Sequence, residues 1–182
     1  MLKRMQYFLG RPIKINPNLS VIAVRDVTGE VLGSVIRDEK EGTTINDLRY
    51  RFEDGEGNRL GEIRAARPER PNTLEVFGPS QELRARITGV PSSSPGSYPV
   101  KVCAMTLQDV SGRTIVISEA FEHGREGSYE HVRMKGLKLK AQDGSVVVTL
   151  KKAMSSDVMQ VELSSTCVDR LAVLALIVVL VS

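Results

Sequence analysis

Residues 171–181, Leu-Ala-Val-Leu-Ala-Leu-Ile-Val-Val-Leu-Val, are eleven apolar side chains in a row, and no other stretch restricts the fold so strongly. Lacking a polar face, this segment must be enclosed by apolar surroundings on every side. Before it stands Thr166-Cys167-Val168-Asp169, which has the form of a capping box: a hydroxyl for free backbone amides and a carboxylate at the positive end of a helix. A helix is therefore predicted over residues 166–181. The apolar run covers about 17 Å as helix, against roughly 30 Å of bilayer hydrocarbon. A helix buried at the centre of the protein fits that length. A membrane anchor would have to submerge Asp169 and Arg170 to reach further. Ile177, Val178, Val179 and Val181 also suit a strand, but eleven residues without alternation are long for one, and the cap favours helix.

What surrounds such a helix is legible upstream. From residue 20 onward the chain repeats a short apolar or alternating segment, a glycine-containing turn and a second such segment, the pattern of consecutive hairpins. Val21-Ile22-Ala23-Val24-Arg25 turns at Asp26-Val27-Thr28-Gly29 into residues 31–36. In the second hairpin Leu48, Tyr50 and Phe52 share one face and Arg49, Arg51 and Glu53 the other, before Asp54-Gly55-Glu56-Gly57-Asn58 leads into residues 60–63; that alternation is a half-buried strand. The third runs Thr73-Leu74-Glu75-Val76-Phe77, Gly78-Pro79-Ser80, then residues 83–87. Residues 91–99, with three prolines and four serines, read as a loop between two halves of the domain. The fourth hairpin joins residues 100–107 to 114–118 through Asp109-Val110-Ser111-Gly112, and residues 121–130 read as a connection.

The fifth hairpin carries the most detail. Val132, Met134 and Gly136 share a face, after which the apolar residues move to Leu137, Leu139 and Ala141, and a parity change at a glycine predicts a β-bulge at Gly136. Asp143-Gly144 is then a two-residue turn of the primed type. It places Lys140 opposite Val147, Lys138 opposite Thr149 and Leu139 opposite Val148. Residues 158–163 form a last strand before the helix.

Five hairpins and one further strand at each end give about twelve strands and one oily helix. A closed antiparallel barrel of that many strands is too wide for side chains alone to fill, so the expected fold is mainly β, one domain over residues 1–182, closed around the helix. A length of 182 residues suits a single domain. Cys103 and Cys167, 64 positions apart, suggest neither a disulfide framework nor a zinc site. Residues 1–11 contain no apolar core of signal-peptide length, and a cytoplasmic protein is expected.

Leu139 to Val147 with Lys151-Lys152, then Asp157-Val158-Met159-Gln160-Val161-Glu162-Leu163, then Asp169-Arg170-Leu171-Ala172-Val173-Leu174-Ala175-Leu176, resemble in order and spacing the last hairpin, last strand and core helix of the tubby-like superfamily, in particular its LURP-one-related and phospholipid-scramblase-like branch. The Asp-x-x-Gly turns at Asp26, Asp54 and Asp109 extend the similarity along the chain. The resemblance implies a twelve-stranded barrel around a C-terminal hydrophobic helix. Of function it implies phosphoinositide headgroup binding through basic side chains, as in tubby proteins, or calcium-stimulated lipid movement, as in scramblases.

Catalytic chemistry has little to stand on. His123 and His131 lie in polar surroundings, and no Gly-x-Ser-x-Gly, His-Glu-x-x-His or phosphate-binding glycine loop occurs. Asp54, Glu56 and Asn58 alternate like the start of an EF-hand, but the sixth position is Arg59 and the twelfth Ala65, where that loop needs glycine and glutamate. No enzyme, cofactor or metal is expected.

Basic side chains remain. A formal net charge of +3 announces no nucleic-acid partner, yet residues 131–152 hold six basic residues against Asp143 alone. Arg133, Lys135, Lys138, Lys140 and Lys151 are the candidate headgroup-binding residues, projecting from one outer strand face across the Gly136 bulge. The expected function is a non-enzymatic binding module, peripheral to a membrane at anionic phospholipid or phosphoinositide headgroups or engaging a protein partner. The alternative is a membrane-anchored, scramblase-like protein. The competing reading of the same lysines is an outer face that keeps the barrel soluble.

Overall fold

The computed structural model describes residues 6–38, 49–66, 72–89, 102–118, 121–122, 137–152, 158–164 and 169–181. Its strands are β1 (Gln6–Leu9), β2 (Ile13–Asn16), β3 (Leu19–Arg25), β4 (Val31–Asp38), β5 (Arg49–Asp54), β6 (Arg59–Ala65), β7 (Thr73–Phe77) and β8 (Leu83–Thr88). They continue as β9 (Val102–Cys103), β10 (Thr106–Asp109), β11 (Thr114–Ser118), β12 (Phe121–Glu122), β13 (Leu137–Lys140), β14 (Val146–Lys152) and β15 (Met159–Leu163), followed by helix α1 (Arg170–Val181). All pairings are antiparallel, in the order β1-β15-β14-β13-β11-β10-β8-β7-β6-β5-β4-β3, and β3 returns to β1 through Phe8↔Arg25 and Leu9↔Val24. Twelve strands thus close into a barrel. β2 is an extra strand that continues along the edge of β3 beyond β1, while β9 and β12 pair separately.

The five anticipated hairpins are the barrel's building units, and they share one construction. In the first, Gly29 donates its N–H to the Asp26 carbonyl and Asp26 donates to Glu30; the same pair of bonds recurs at 54–58, 78–82, 109–113 and 141–145. The fourth residue of each turn has positive φ: Gly29, Gly57, Gln81, Gly112 and Gly144. These are three-residue loops ending in a left-handed residue. Three residues later every hairpin carries a bulge, whose extra residue is Leu32, Leu60, Arg84, Ile115 or Val147. The four apolar ones pack on or within the core. Antiparallel order puts all five turns on one rim, the rim at which α1 enters.

Inward-facing residues such as Val24, Val35, Phe52, Ile63, Val76, Ile87, Leu107, Leu139 and Val161 form one apolar cluster with residues 171–178 and Leu180 of the helix. Leu174, Ile177 and Leu180 are 2%, 0% and 4% exposed: the helix fills the barrel. It comes close to the wall at Gly61, where an added Cβ would lie 2.7 Å from Leu171 Cδ2 and 2.5 Å from the Phe77 carbonyl oxygen.

Several expectations need correction. The helix begins at Arg170, not at Thr166, and Asp169 is itself the cap: its Oδ1 accepts the Ala172 N–H at 3.0 Å and its carbonyl the Val173 N–H. Thr166 lies outside the described residues. The fifth turn is not a two-residue primed turn, which needs positive φ at both central residues; of Asp143 and Gly144 only the glycine has it. The resulting bulge sets Lys140 opposite Val146 rather than Val147, while Lys138↔Thr149 and Leu139↔Val148 stand as expected. The fourth hairpin's first strand is interrupted at Ala104-Met105, so β9 leaves the barrel to pair with Phe121–Glu122, inside the expected connection. Gly136 and residues 91–99 lie outside the described residues.

Candidate functional site: the outer face of β13 and β14

Alternation on β13 turns Leu139 into the core and leaves Lys138 and Lys140 on the outer wall. On β14, Thr149 and Lys151 share that wall. Thr149 stands opposite Lys138 on one side and Glu162 on the other, and Lys151 stands opposite Gln160. The structure therefore brings together three of the five anticipated residues. Arg133 and Lys135 lie outside the described residues.

Two features were missed. Lys151 Nζ lies 3.4 Å from Glu162 Oε2, and Gln160 Nε2 donates to the other oxygen of Glu162 at 2.8 Å. One lysine thus has a carboxylate partner, in an exposed pair that contributes little. The second feature is apolar. Ile117, Lys140 and Val146 occupy one cross-strand row, and Ile117 and Val146 are 38% and 39% exposed.

The rest of the barrel's charge is distributed differently. Across β5 to β8, Arg51 pairs with Glu53 at 2.6 Å, Arg59 and Arg64 with Glu62, and Arg86 with Glu75 at 3.4 Å. Arg84 pairs with both Glu82 and Asp169, and Arg64 also stacks 3.9 Å above the centre of the Phe77 ring. Among the described residues of that wall only Arg49 has no carboxylate partner. The strands of the β13–β15 wall present Lys138, Lys140 and Lys151 with Glu162 as their one carboxylate among the described residues. Lys138 is exposed and has no carboxylate partner among the described residues.

The turn rim is acidic. The five turns carry Asp26, Glu30, Asp54, Glu56, Glu82, Asp109 and Asp143 against Arg113. Several of these carboxylates are occupied by their own loops. Asp109 Oδ1 accepts from Ser111 Oγ at 2.6 Å and from the Ser111 and Arg113 amides, and the Ser111 hydroxyl foremost holds the carboxyl below its ordinary range. Asp54 is lowered first by the Asn58 side chain and Asp143 by that of Ser145. These are turn-forming acids. Among the described residues no group of three His, Cys, Asp or Glu side chains converges as a metal site would, and no helix is long and apolar enough to cross a membrane.

A closed twelve-stranded antiparallel barrel wrapped around a helix, with one basic outer wall, is thus the class of protein defined by fold and site. The chain matches no family model and no curated protein. It is similar in structure to AT5G01750 of Arabidopsis thaliana, known from X-ray analysis, with a TM-score of 0.56 and 13% sequence identity over 97% of this chain and 89% of that one. At that identity the likeness is one of fold.

Proposed function

We propose that this chain is a tubby-like barrel of the LURP-one-related and scramblase-like branch, acting as a non-enzymatic module that attaches reversibly to anionic phospholipid, phosphoinositides included, at the cytoplasmic surface of a membrane. The observation that carries the reading is the concentration of lysine on the β13–β15 wall: Lys138, exposed and without a carboxylate partner among the described residues, stands with Lys140 and Lys151 on strands whose one described carboxylate is Glu162. A basic side chain near an anionic surface contributes about 1 kcal/mol, so attachment is weak and, because the charges are exposed, salt-sensitive. Anchoring by the helix is disfavoured, since its apolar side chains are enclosed by the barrel; this speaks against the scramblase-like alternative.

Cosedimentation with vesicles containing phosphatidylserine or a phosphoinositide, at low and high salt, tests the reading. Wild type is expected to bind at low salt and release at high salt, and Lys138→Glu plus Lys140→Glu to bind at neither. Equal binding by both proteins, or none by wild type at low salt, would return these lysines to the role of solubilising surface. A protein-binding role has one observation in its favour: β2, outside the closed barrel, leaves Ile13 and Ile15 61% and 60% exposed.

A further inference from the structure

Resting on the lipid-binding reading, we infer that Ile117 and Val146 enter the boundary between headgroups and acyl chains, so that the barrel docks side-on through its β11–β13–β14 wall. Seven large apolar residues are well exposed among those described: Ile13, Ile15, Val27, Val31, Val110, Ile117 and Val146. Their places relative to the lysine-bearing wall separate them. Val27, Val31 and Val110 lie in or beside rim turns that carry Asp26, Glu30 and Asp109, and an anionic surface repels those carboxylates. Ile13 and Ile15 flank Lys14 on β2, which lies outside the closed barrel and apart from the β11–β13–β14 wall. Val146 also follows a rim turn, the one that carries Asp143, but with Ile117 it flanks Lys140 in a single row, with Lys138 one pleat away on the same wall.

Strands stand about 4.8 Å apart, so the row Ile117–Lys140–Val146 spans about 10 Å. Two β-branched side chains with a lysine between them suit an interface that is anionic at headgroup depth and apolar just beneath. The lysine's methylene stem can lie along the apolar layer while its ammonium stays among phosphates. Apolar area and charge then act together, as they do for amphipathic surfaces at membranes. Thr149 opposite Lys138 and Thr106 opposite Ile117 continue the wall with small polar side chains.

The chain contains no tryptophan, so a single introduced indole reports its own surroundings. Ile117→Trp, Val146→Trp, Ile13→Trp and, at the acidic rim, Val27→Trp are titrated in the full chain with phosphatidylserine vesicles at low salt, with and without brominated acyl chains. Blue-shifted emission and quenching by bromolipid are expected at 117 and 146 and at neither 13 nor 27. In parallel, Ile117→Ser plus Val146→Ser is expected to lower vesicle partitioning by about tenfold while retaining the salt dependence that the lysines confer. If vesicles bind while the 117 and 146 reporters stay unchanged, or if position 13 or 27 is quenched instead, side-on insertion is wrong and the lipid-binding reading survives. If wild type fails to bind at low salt, that reading falls and the inference with it.

Discussion

Arg84 Nε donates to Asp169 Oδ2 at 2.9 Å while the other oxygen of that carboxylate accepts the Ala172 N–H. One side chain therefore caps the core helix and ties its first turn to the barrel wall. Arg84 is the extra residue of the third hairpin's bulge, the slot that Leu32, Leu60, Ile115 and Val147 occupy in the other four. Four of the five slots add apolar packing around the helix, and the fifth supplies a guanidinium to its cap.

The two roles of Asp169 are separable by substitution. Asp169→Ala is expected to destabilise by about 1–2 kcal/mol through the lost cap, and Asp169→Asn, which can still cap, by less. Arg84→Leu, which installs the residue type of the neighbouring slots, should change stability by under about 1 kcal/mol because the ion pair is partly exposed. Urea denaturation of the three variants measures these differences; a larger loss in Arg84→Leu than in Asp169→Ala would reverse the ranking.

Gly61 is required by space rather than by backbone angle. A Cβ there would collide with Leu171 and the Phe77 carbonyl, and backbone cannot yield as a flexible side chain can. Gly61→Ala is expected to cost about 1–3 kcal/mol as overpacking. Adding Leu171→Ala should relieve one of the two collisions, so the double variant should lose less than the sum of the singles, read from denaturant midpoints.

Left-handed backbone makes a different demand. Gly112 has φ +87° with open space around its Cα hydrogens, so Gly112→Ala should cost about 1 kcal/mol from backbone alone. Gln81 occupies the equivalent place with φ 65°. With its amide oriented to match its neighbours it donates to Glu62 at 2.9 Å and accepts from Arg59 at 2.8 Å. Gln81→Gly should be close to neutral, as the relieved backbone offsets the lost bridge; thermal melts compare the two.

Acid should loosen the turn rim. The carboxyls of Asp54, Asp109 and Asp143 are depressed in the fold, each by its loop's hydrogen bonds. A depressed carboxyl contributes stability above its unfolded pKa of about 3.9, and that contribution disappears as pH falls through the folded value. Melting temperature is expected to fall below about pH 4. Asp109→Asn, able to keep the turn's acceptor but unable to titrate, should show a shallower acid limb in calorimetry from pH 5 to 2. An unchanged limb would detach Asp109 from the effect.

The barrel and its plug were legible because two signals agree: an apolar run too short for a bilayer, and hairpin turns recurring ahead of it. The bounds of the first strand, β1, and the existence of β2 were not, since Gly10-Arg11-Pro12 and Pro17 break the alternation that marks a strand. The bulges left a trace in Leu60-Gly61, Ile115-Val116 and Val147-Val148, but two adjacent inward residues look like failed alternation until the pairing register is known. At the site, parity alone placed Lys138 and Lys140 outward. The Lys151–Glu162 pair depends on register between β14 and β15, which no local pattern encodes. Ile117 and Val146 were hidden because β-branched residues in strands usually read as core.

Amide hydrogen exchange across residues 171–178, with and without anionic vesicles, tests most directly whether the helix belongs to the barrel's core. Amides of a core element open only with global unfolding, so these are expected to be among the slowest in the chain and equally slow in both conditions. Rapid exchange in solution, with protection arising only when vesicles are added, would contradict a buried helix and identify the segment as one that waits for a membrane.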